Sequence, residues 1–250
     1  MNYELLVLLF AVATLAGFID SIAGGGGLLT VPALLAVGLP PASALATNKL
    51  QSCGGSFSAS LYFIHQRMVD LKQQKWAICF AFIGSALGTI CVMHIKTDFL
   101  RLLLPVLTIS VGLYFLLSPT IGEGDRKSRL SIFQFALVAA LTIGFYDGFF
   151  GPGAGSFYAL AYITLAGFNL TKATAHTKVL NFTSNFAGLL FFIIGGEVVW
   201  SIGLVMLIGQ FIGARLGAKM VIAKGHKLIR PMLITVSTIM SIKLIYENFF

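Results

Sequence analysis

The chain has 250 residues, of which 57% are hydrophobic and only 10% are charged, and its formal net charge is +8. Soluble domains carry about 25% charged residues, so this composition excludes an ordinary water-soluble fold. The basic residues mostly flank apolar runs, where the positive-inside bias of membrane proteins accounts for them. No nucleic-acid partner is therefore expected.

Long apolar runs predict membrane-spanning helices along most of the chain. A span needs about 20 mostly apolar residues, and within lipid the backbone polar groups must be satisfied by helices or by a closed barrel. Runs without alternation favour helices, so we expect an all-α integral membrane protein. Residues 5–19 lack a basic start and a small-residue cleavage site, and we interpret them as a retained helix rather than a signal peptide. Later runs begin at Trp76, Leu102, Ile132, Leu189 and Leu228.

Two glycine-rich segments, residues 24–27 and 151–156, interrupt this pattern shortly after an aspartate. Each precedes an apolar segment too short to span, residues 28–37 and 157–166, which glycine or proline also bounds at its far end. Such paired interruptions are the best sequence pointer to a transporter's binding site. We expect both glycine-rich segments to be non-helical, to lie near the membrane centre and to face each other.

Recurring motifs indicate that the chain is a duplication. Four motifs return in the same order at a nearly constant offset: residues 17–20 with 144–147, residues 44–49 with 173–178, residues 82–88 with 211–217, and Arg101 and Pro105 with Lys227 and Pro231. We therefore divide the chain into an N-terminal transmembrane repeat (1–120), a cytoplasmic linker (121–130) and a C-terminal transmembrane repeat (131–250).

Charged loops orient the two repeats, because cytoplasmic loops collect Lys and Arg. The loop at residues 67–75 carries three basic residues, whereas its counterpart at residues 195–197 carries none. Basic residues also mark residues 122–131 and 219–230 as inside. Equivalent loops then lie on opposite sides. This predicts an inverted repeat with broken, short helices at its centre and with both termini outside.

The glycine-rich segments could hold a small anion on exposed backbone N–H groups, because a helix N-terminus favours negative charge. The candidate residues are Gly25, Gly26, Gly27, Gly153, Gly155 and Ser156. The alternative is that these small residues only let helices approach closely.

Lys49 and Lys178 occupy equivalent positions in otherwise apolar or small-residue helices, where a charge needs a partner or water. We expect them to attract an anion, with Asn48, Thr177 and Asn181 as neutral donors nearby. Two alternatives stay open. The lysines could snorkel to the interface on their long stems, and the neutral side chains could simply bond neighbouring helices.

Asp20 and Asp147 end the first helix of each repeat. A buried carboxylate that takes up and releases a proton would couple transport to the proton gradient, and His176 is a further coupling candidate. The alternative, which we favour slightly, is that each aspartate caps backbone N–H groups of the following loop. Arg215 has no basic counterpart and could pair with Glu197, pair with another carboxylate or reach water.

Four stretches resemble the TauE/SafE sulfite exporter family, and within it the branch of YfcA-like probable membrane transporters. They are AGFIDSIAGGGGLLTVP at residues 16–32, ALATNK at 44–49, GFYDGFFGPGAGSF at 144–157 and KATAHTK at 172–178. The resemblance covers essentially the full length. It implies a multi-pass permease of the bacterial inner membrane with duplicated halves, in a family linked to sulfite, sulfonates and related organic anions.

We therefore expect a transporter of small anions that works by alternating access and could be proton-coupled. An uncoupled anion channel is the main alternative. An intramembrane enzyme is not favoured, because no histidine is placed to activate Ser56 or Ser156. No cofactor or metal is expected, and the three cysteines are interpreted as packing residues. The expected partners are an anionic solute and membrane lipid, and a homo-oligomer is left open.

Overall fold

The computed structural model of the protein describes residues 3–96, 98–100, 124–125 and 127–225. The fold there is helical: α1 (Tyr3–Ala23), α2 (Gly26–Ala36), α3 (Pro41–His65), α4 (Leu71–Met93), α5 (Ile132–Phe149), α6 (Ala154–Thr164), α7 (Leu170–Ile194) and α8 (Trp200–Lys224). One π-helical turn, Ala136–Ala140, interrupts α5. The apolar runs that begin at Leu102 and Leu228 and the motif pair formed by Arg101, Pro105, Lys227 and Pro231 lie outside the described residues.

Five of these helices, α1, α4, α5, α7 and α8, are long and apolar enough to cross a membrane. They leave many large hydrophobic side chains exposed, such as Val7, Leu87 and Leu204, as a lipid-facing surface requires. Helix α3 has a similar length, but its buried Asn48 and Lys49 make it more polar. The all-α membrane fold and its several spans are confirmed.

The short helices begin earlier than the sequence predicts. Helix α2 starts at Gly26 and α6 at Ala154, so the expectation of non-helical backbone is wrong for residues 26–27 and 154–156. The chain breaks only at residues 24–25 and 151–153, where Gly24, Gly151 and Gly153 have φ values of 73°, 97° and 84°. Only glycine takes this left-handed conformation readily. Of the other glycines in the two segments, Gly26, Gly27 and Gly155 lie in helix, whereas Gly25 has an extended φ of −148°.

Loops cluster at two ends of the molecule. At the basic end, which comprises residues 66–70, 124–131, 165–169 and Gly225, the Arg129 N–H donates to the Leu165 carbonyl at 2.9 Å. At the opposite end, which comprises the start of α1 and residues 37–40 and 195–199, the Ser43 hydroxyl donates to the Glu197 carboxylate at 2.9 Å. Leu5, Leu6, Val37, Leu39 and Val199 share one apolar cluster there.

Corresponding helices of the two repeats run in opposite directions between these ends. Helix α1 starts at the opposite end, whereas α5 starts at the basic end, where Phe133 packs edge-to-face on Trp76 of α4. Likewise α2 runs from the interior to the opposite end and α6 from the interior to the basic end. An inverted repeat would require this arrangement, and the inverted repeat itself stays a prediction. How the helices sit in a bilayer stays a prediction.

The two repeats interlock through close helix pairs, α1 against α8 and α4 against α5. A side chain on Gly213 would place its Cβ 2.8 Å from the Thr14 carbonyl carbon, and one on Gly84 would come 2.8 Å from the Phe145 nitrogen. Small residues allow such backbone contact inside membranes. Each repeat thus packs its first helix against the fourth helix of the other.

The cysteines do not share one environment. Cys53 is buried, as a packing role requires, but Cys79 and Cys91 lie on the exposed surface, so the packing interpretation is wrong for those two. Both occupy outward faces of α4, whose outer side is apolar beyond Lys75.

Candidate functional site

The two chain breaks lie against each other in the interior. A side chain on Gly24 would place its Cβ 2.6 Å from the Gly155 carbonyl carbon and the Ser156 nitrogen. The Ser156 hydroxyl donates to the carbonyl oxygens of Ala23 and Gly24, at 2.7 and 2.5 Å. The first turns of α2 and α6 therefore touch, and the two short helices leave this point in opposite directions.

Backbone donors at these two helix starts are unused. Within the described part of the chain, the N–H groups of Gly27 and Gly155 have no hydrogen-bond acceptor. Unpaired first-turn N–H groups and the aligned peptide dipoles make a helix N-terminus attractive to an anion. Two such ends meet here.

Two ion pairs cross between the repeats. The Lys49 Nζ atom on α3 lies 2.6 Å from Asp147 Oδ1 on α5, and the Lys178 Nζ atom on α7 lies 2.9 Å from Asp20 Oδ2 on α1. Each ammonium also donates to the backbone carbonyl of its aspartate. Each lysine thus reaches the aspartate of the other repeat, and the four charges cancel.

The ion pairs exclude one of the alternatives for the charged residues. Both lysine side chains are only 1% exposed, so neither snorkels to an interface. Asp20 does accept a hydrogen bond from the Gly26 N–H at 3.2 Å, which is the capping role, in addition to its pairing with Lys178. Asp147 instead accepts from the Ser184 hydroxyl.

The two pairs differ in their access to solvent. The Asp147 side chain is 3% exposed, whereas the Asp20 side chain is 23% exposed. Asp147 also has the Ser184 hydroxyl, while the position equivalent to Ser184 in the first repeat is Gly55. The Lys49–Asp147 pair is therefore sealed, and the Lys178–Asp20 pair is the more accessible one.

A polar cavity of about 30 Å³ lies between the ion pairs and the helix starts, which is room for about two water molecules. Ser52 and Ser56 of α3 face Asn181 and Asn185, their counterparts on α7, across it. Of the residues predicted to bind the solute or to couple protons, those that line the cavity are Asp20, Gly26, Gly27, Asn48, Asp147, Gly153, Gly155 and Asn181.

The remaining candidates lie behind this surface or away from it. Lys49 and Lys178 reach it through their aspartates, and Gly25 belongs to the break beside it. The Ser156 hydroxyl donates to backbone carbonyls, and Thr177 is buried but does not line the cavity.

His176 lies nearer the basic end, away from the cavity. Its Nδ1 atom is 2.6 Å from Gln74 Nε2, and its ring packs against Tyr162 and Phe168. The structure does not bring this coupling candidate to the aspartates.

Two other side chains differ from expectation. Gln210 lines the cavity, and sequence reasoning missed it, although a lone polar residue in the apolar run of α8 was a usable signal. Arg215 does not pair with Glu197. Its guanidinium lies over the Tyr62 ring, 4.5 Å from the centroid, in a cation–π contact.

Comparison with known proteins identifies the family of this chain. The family model described as Sulfite exporter TauE/SafE matches residues 9–244. The chain belongs to the TauE/SafE sulfite exporter family. It is 61% identical over 244 residues to the probable membrane transporter protein YfcA of Escherichia coli K12, covering 98% of this chain and 91% of that protein.

Two further relatives of this TauE/SafE chain are also named as membrane transporters. A probable membrane transporter protein of Haemophilus influenzae is 52% identical, covering 99% of this chain and 97% of that protein. The probable membrane transporter protein ORF9 of a Sinorhizobium species is 47% identical, with 99% and 95% covered. The protein is thus a multi-pass membrane transporter of this family.

Proposed function

We propose that this transporter carries small anions, sulfur-containing or organic ones such as sulfite or sulfonates, across the bacterial inner membrane by alternating access. The observation that carries the proposal is the pair of crossed Lys–Asp ion pairs flanking a polar cavity into which two helix N-termini point. In transporters with inverted repeats, such half-helix starts typically face anionic groups of the substrate.

Charge balance supports coupling to protons. The four charged side chains at the cavity sum to zero, so a bound anion adds one uncompensated negative charge. A proton on Asp20, the more exposed carboxylate, would restore neutrality and release Lys178 from its partner. The anion would then gain an ammonium group in a medium where an unpaired charge is costly. Anion and proton would move together.

The unequal pairs support alternating access. One aspartate is sealed with its lysine while the other borders the cavity. Because the repeats are equivalent in sequence, exchanging the two environments would turn a site open toward one side into a site open toward the other. At each such exchange, the Lys49–Asp147 and Lys178–Asp20 ion pairs would break and form again.

Charge distribution supports an orientation with both termini periplasmic. The basic end carries Arg67, Lys72, Lys75, Lys127 and Arg129, whereas Glu4 and Glu197 belong to the opposite end. Cytoplasmic loops concentrate Lys and Arg. We therefore place the basic end in the cytoplasm.

Transport assays in proteoliposomes test the proposal. Proteoliposomes that contain the purified protein should take up labelled sulfite or a sulfonate. The rate of anion uptake should rise under an inward proton gradient. It should also rise when the lumen is preloaded with the same anion. Failure to move any of sulfite, thiosulfate, sulfonates or carboxylates would overturn it. An uncoupled channel, the main alternative, predicts flux that follows the anion gradient alone, without acceleration by preloading.

A further inference from the structure

Gln210 is a buried polar residue at the cavity with no committed partner. Its side chain on α8 is 2% exposed, it lines the cavity, and no hydrogen bond joins it to the described residues. Its Oε1 atom is packed against the backbones of Gly17 and Gly55, so that a Cβ on Gly17 would lie 2.8 Å from it. The carboxamide of Gln210 is therefore unbonded at the cavity wall, and its NH₂ group can donate a hydrogen bond to a solute there.

Asn48 presents its carboxamide in the same way. Its Oδ1 atom accepts hydrogen bonds from the Thr30 hydroxyl at 2.6 Å and from the Gln51 amide at 2.8 Å. With the oxygen occupied, its NH₂ group is left as a donor to the cavity, which Asn48 also lines. Two carboxamides from different helices thus line one space, and the NH₂ group of neither has a hydrogen-bond partner among the described residues.

The internal duplication shows that Gln210 is an asymmetric addition. Its counterpart in the first repeat is Ala81, and the counterpart of Gly55 is Ser184. In the second repeat, the Ser184 hydroxyl donates a hydrogen bond to the Asp147 carboxylate. In the first repeat, Gly55 leaves room for the longer Gln210 side chain. The amide group of Gln210 does not donate to the Asp20 carboxylate.

We propose that Gln210 hydrogen-bonds the transported anion and helps to select it, an inference that rests on the proposed anion transport. The donors come from α2 (Gly27), α3 (Asn48), α6 (Gly155) and α8 (Gln210), and all are directional N–H groups. Such groups match the lone pairs of several oxygens on one centre better than they match a spherical halide. The sulfite and sulfonate anions of the proposed function carry several oxygens on one centre in this way.

Two variants separate binding from space filling. Gln210→Met keeps the length of the side chain and removes the donor. The double variant Gly55→Ser/Gln210→Ala gives the Asp20 site the residues found at the equivalent positions beside Asp147, which are Ser184 and Ala81. Because this combination already packs beside Asp147, we expect it to pack beside Asp20 as well. Gln74→Met is the matched control, because Gln74 is also buried but bonds Tyr162 and His176 nearer the basic end.

We expect both test variants to raise KM for sulfite or methanesulfonate about 10- to 100-fold, the factor that corresponds to losing one hydrogen bond to a charged group. Preference for these anions over chloride should fall, and Gln74→Met should keep the wild-type KM. If Gln210→Met does not fold, the double variant decides. An unchanged KM with intact wild-type flux would overturn the role of Gln210 alone. Absence of flux in the wild-type protein would overturn both this inference and the proposed function.

Discussion

The Lys49–Asp147 pair is almost completely enclosed, with side chains 1% and 3% exposed. Removing one partner of a buried ion pair typically costs about 3–5 kcal/mol, because the other charge is left without compensation. We expect Lys49→Gln to lower the stability by roughly that amount. The double variant Lys49→Gln/Asp147→Asn should lose much less, since it leaves no bare charge. Thermal unfolding in detergent measures both, and equal melting temperatures for the single and double variants would contradict the pairing.

Asp20 and Asp147 should differ in proton coupling. Asp20 is 23% exposed and lines the cavity, so its carboxylate can exchange a proton with water there. We expect Asp20→Asn to remove the acceleration of anion uptake by a proton gradient, because an amide cannot carry that proton. The measurement is uptake with and without the gradient. Glu197→Gln, which changes a carboxylate at the opposite end of the molecule, is the control and should behave like the wild type. A full gradient response in Asp20→Asn would exclude Asp20 as the coupling group.

Sequence reasoning found the charged residues of the site but not their pairing. A lysine in an apolar helix and an aspartate before a glycine run stand out on chemical grounds. The partners, however, lie 98 and 158 positions apart and belong to different repeats. Distances of that kind arise only when the two repeats interlock, which composition and motif spacing do not reveal. Gln210 is different, because as a lone polar residue in an apolar run it could have been singled out from the sequence.

At the level of helices, the glycine contacts should be required for folding. A Cβ on Gly213 would lie 2.8 Å from the Thr14 carbonyl carbon, and backbone cannot move aside as a side chain can. We expect Gly213→Ala to cost several kcal/mol and to lower the yield of folded protein, because overpacking typically costs about 1–3 kcal/mol even where neighbours can shift. Detergent size-exclusion chromatography and thermal unfolding measure this loss.

Gly195→Ala is the matched control for that change. Its Cβ would first meet the terminal methyl group of Met93, the far end of a flexible side chain, and its backbone has φ −73°. We expect this variant to fold like the wild type. Equal loss in both variants would show that glycine content, rather than contact between α1 and α8, determines the effect.

The sequence predicts which segments form helices, but it does not predict at which residue the two short helices begin. The apolar runs predicted α1, α4 and α5 well, because a lipid environment leaves the backbone few options. Within a run of glycines, however, nothing in the sequence says which residue takes positive φ. The structure places that conformation at Gly24, while Gly26 and Gly27 are already helical. The short helices therefore begin two or three residues before the predicted points.

For the whole molecule, the duplication and the charged loops predicted more than any single motif did. Equivalent loops with opposite charge predict that the repeats are inverted. The helix directions in the structure are compatible with this, and the inverted repeat stays a prediction. The crossed contacts of α1 with α8 and of α4 with α5 were not foreseen. They depend on which helix faces pack together, and glycine contributes to such faces without any hydrophobic periodicity.

Labelling from the two sides of the membrane tests the arrangement of the whole molecule. We expect cysteine at position 196 (Gly196→Cys) to react with an impermeant reagent from the periplasm, and cysteine at position 128 (Ser128→Cys) to react only from the cytoplasm. A side chain at position 196 would meet no atom within 4 Å, and Ser128 is exposed in the loop beside Leu165. The parent protein must lack Cys53, Cys79 and Cys91, because the last two are exposed.

The possible outcomes separate two claims about topology. Reaction of both positions from one side would contradict the net membrane crossing made by α5, α6 and α7 together, since the structure places these loops at opposite ends. Reaction from opposite sides but with reversed polarity would keep the helical arrangement and would contradict only the assignment of the basic end to the cytoplasm. The orientation depends on loop charge, whereas the separation of the loops depends on the fold itself, so the two can fail independently.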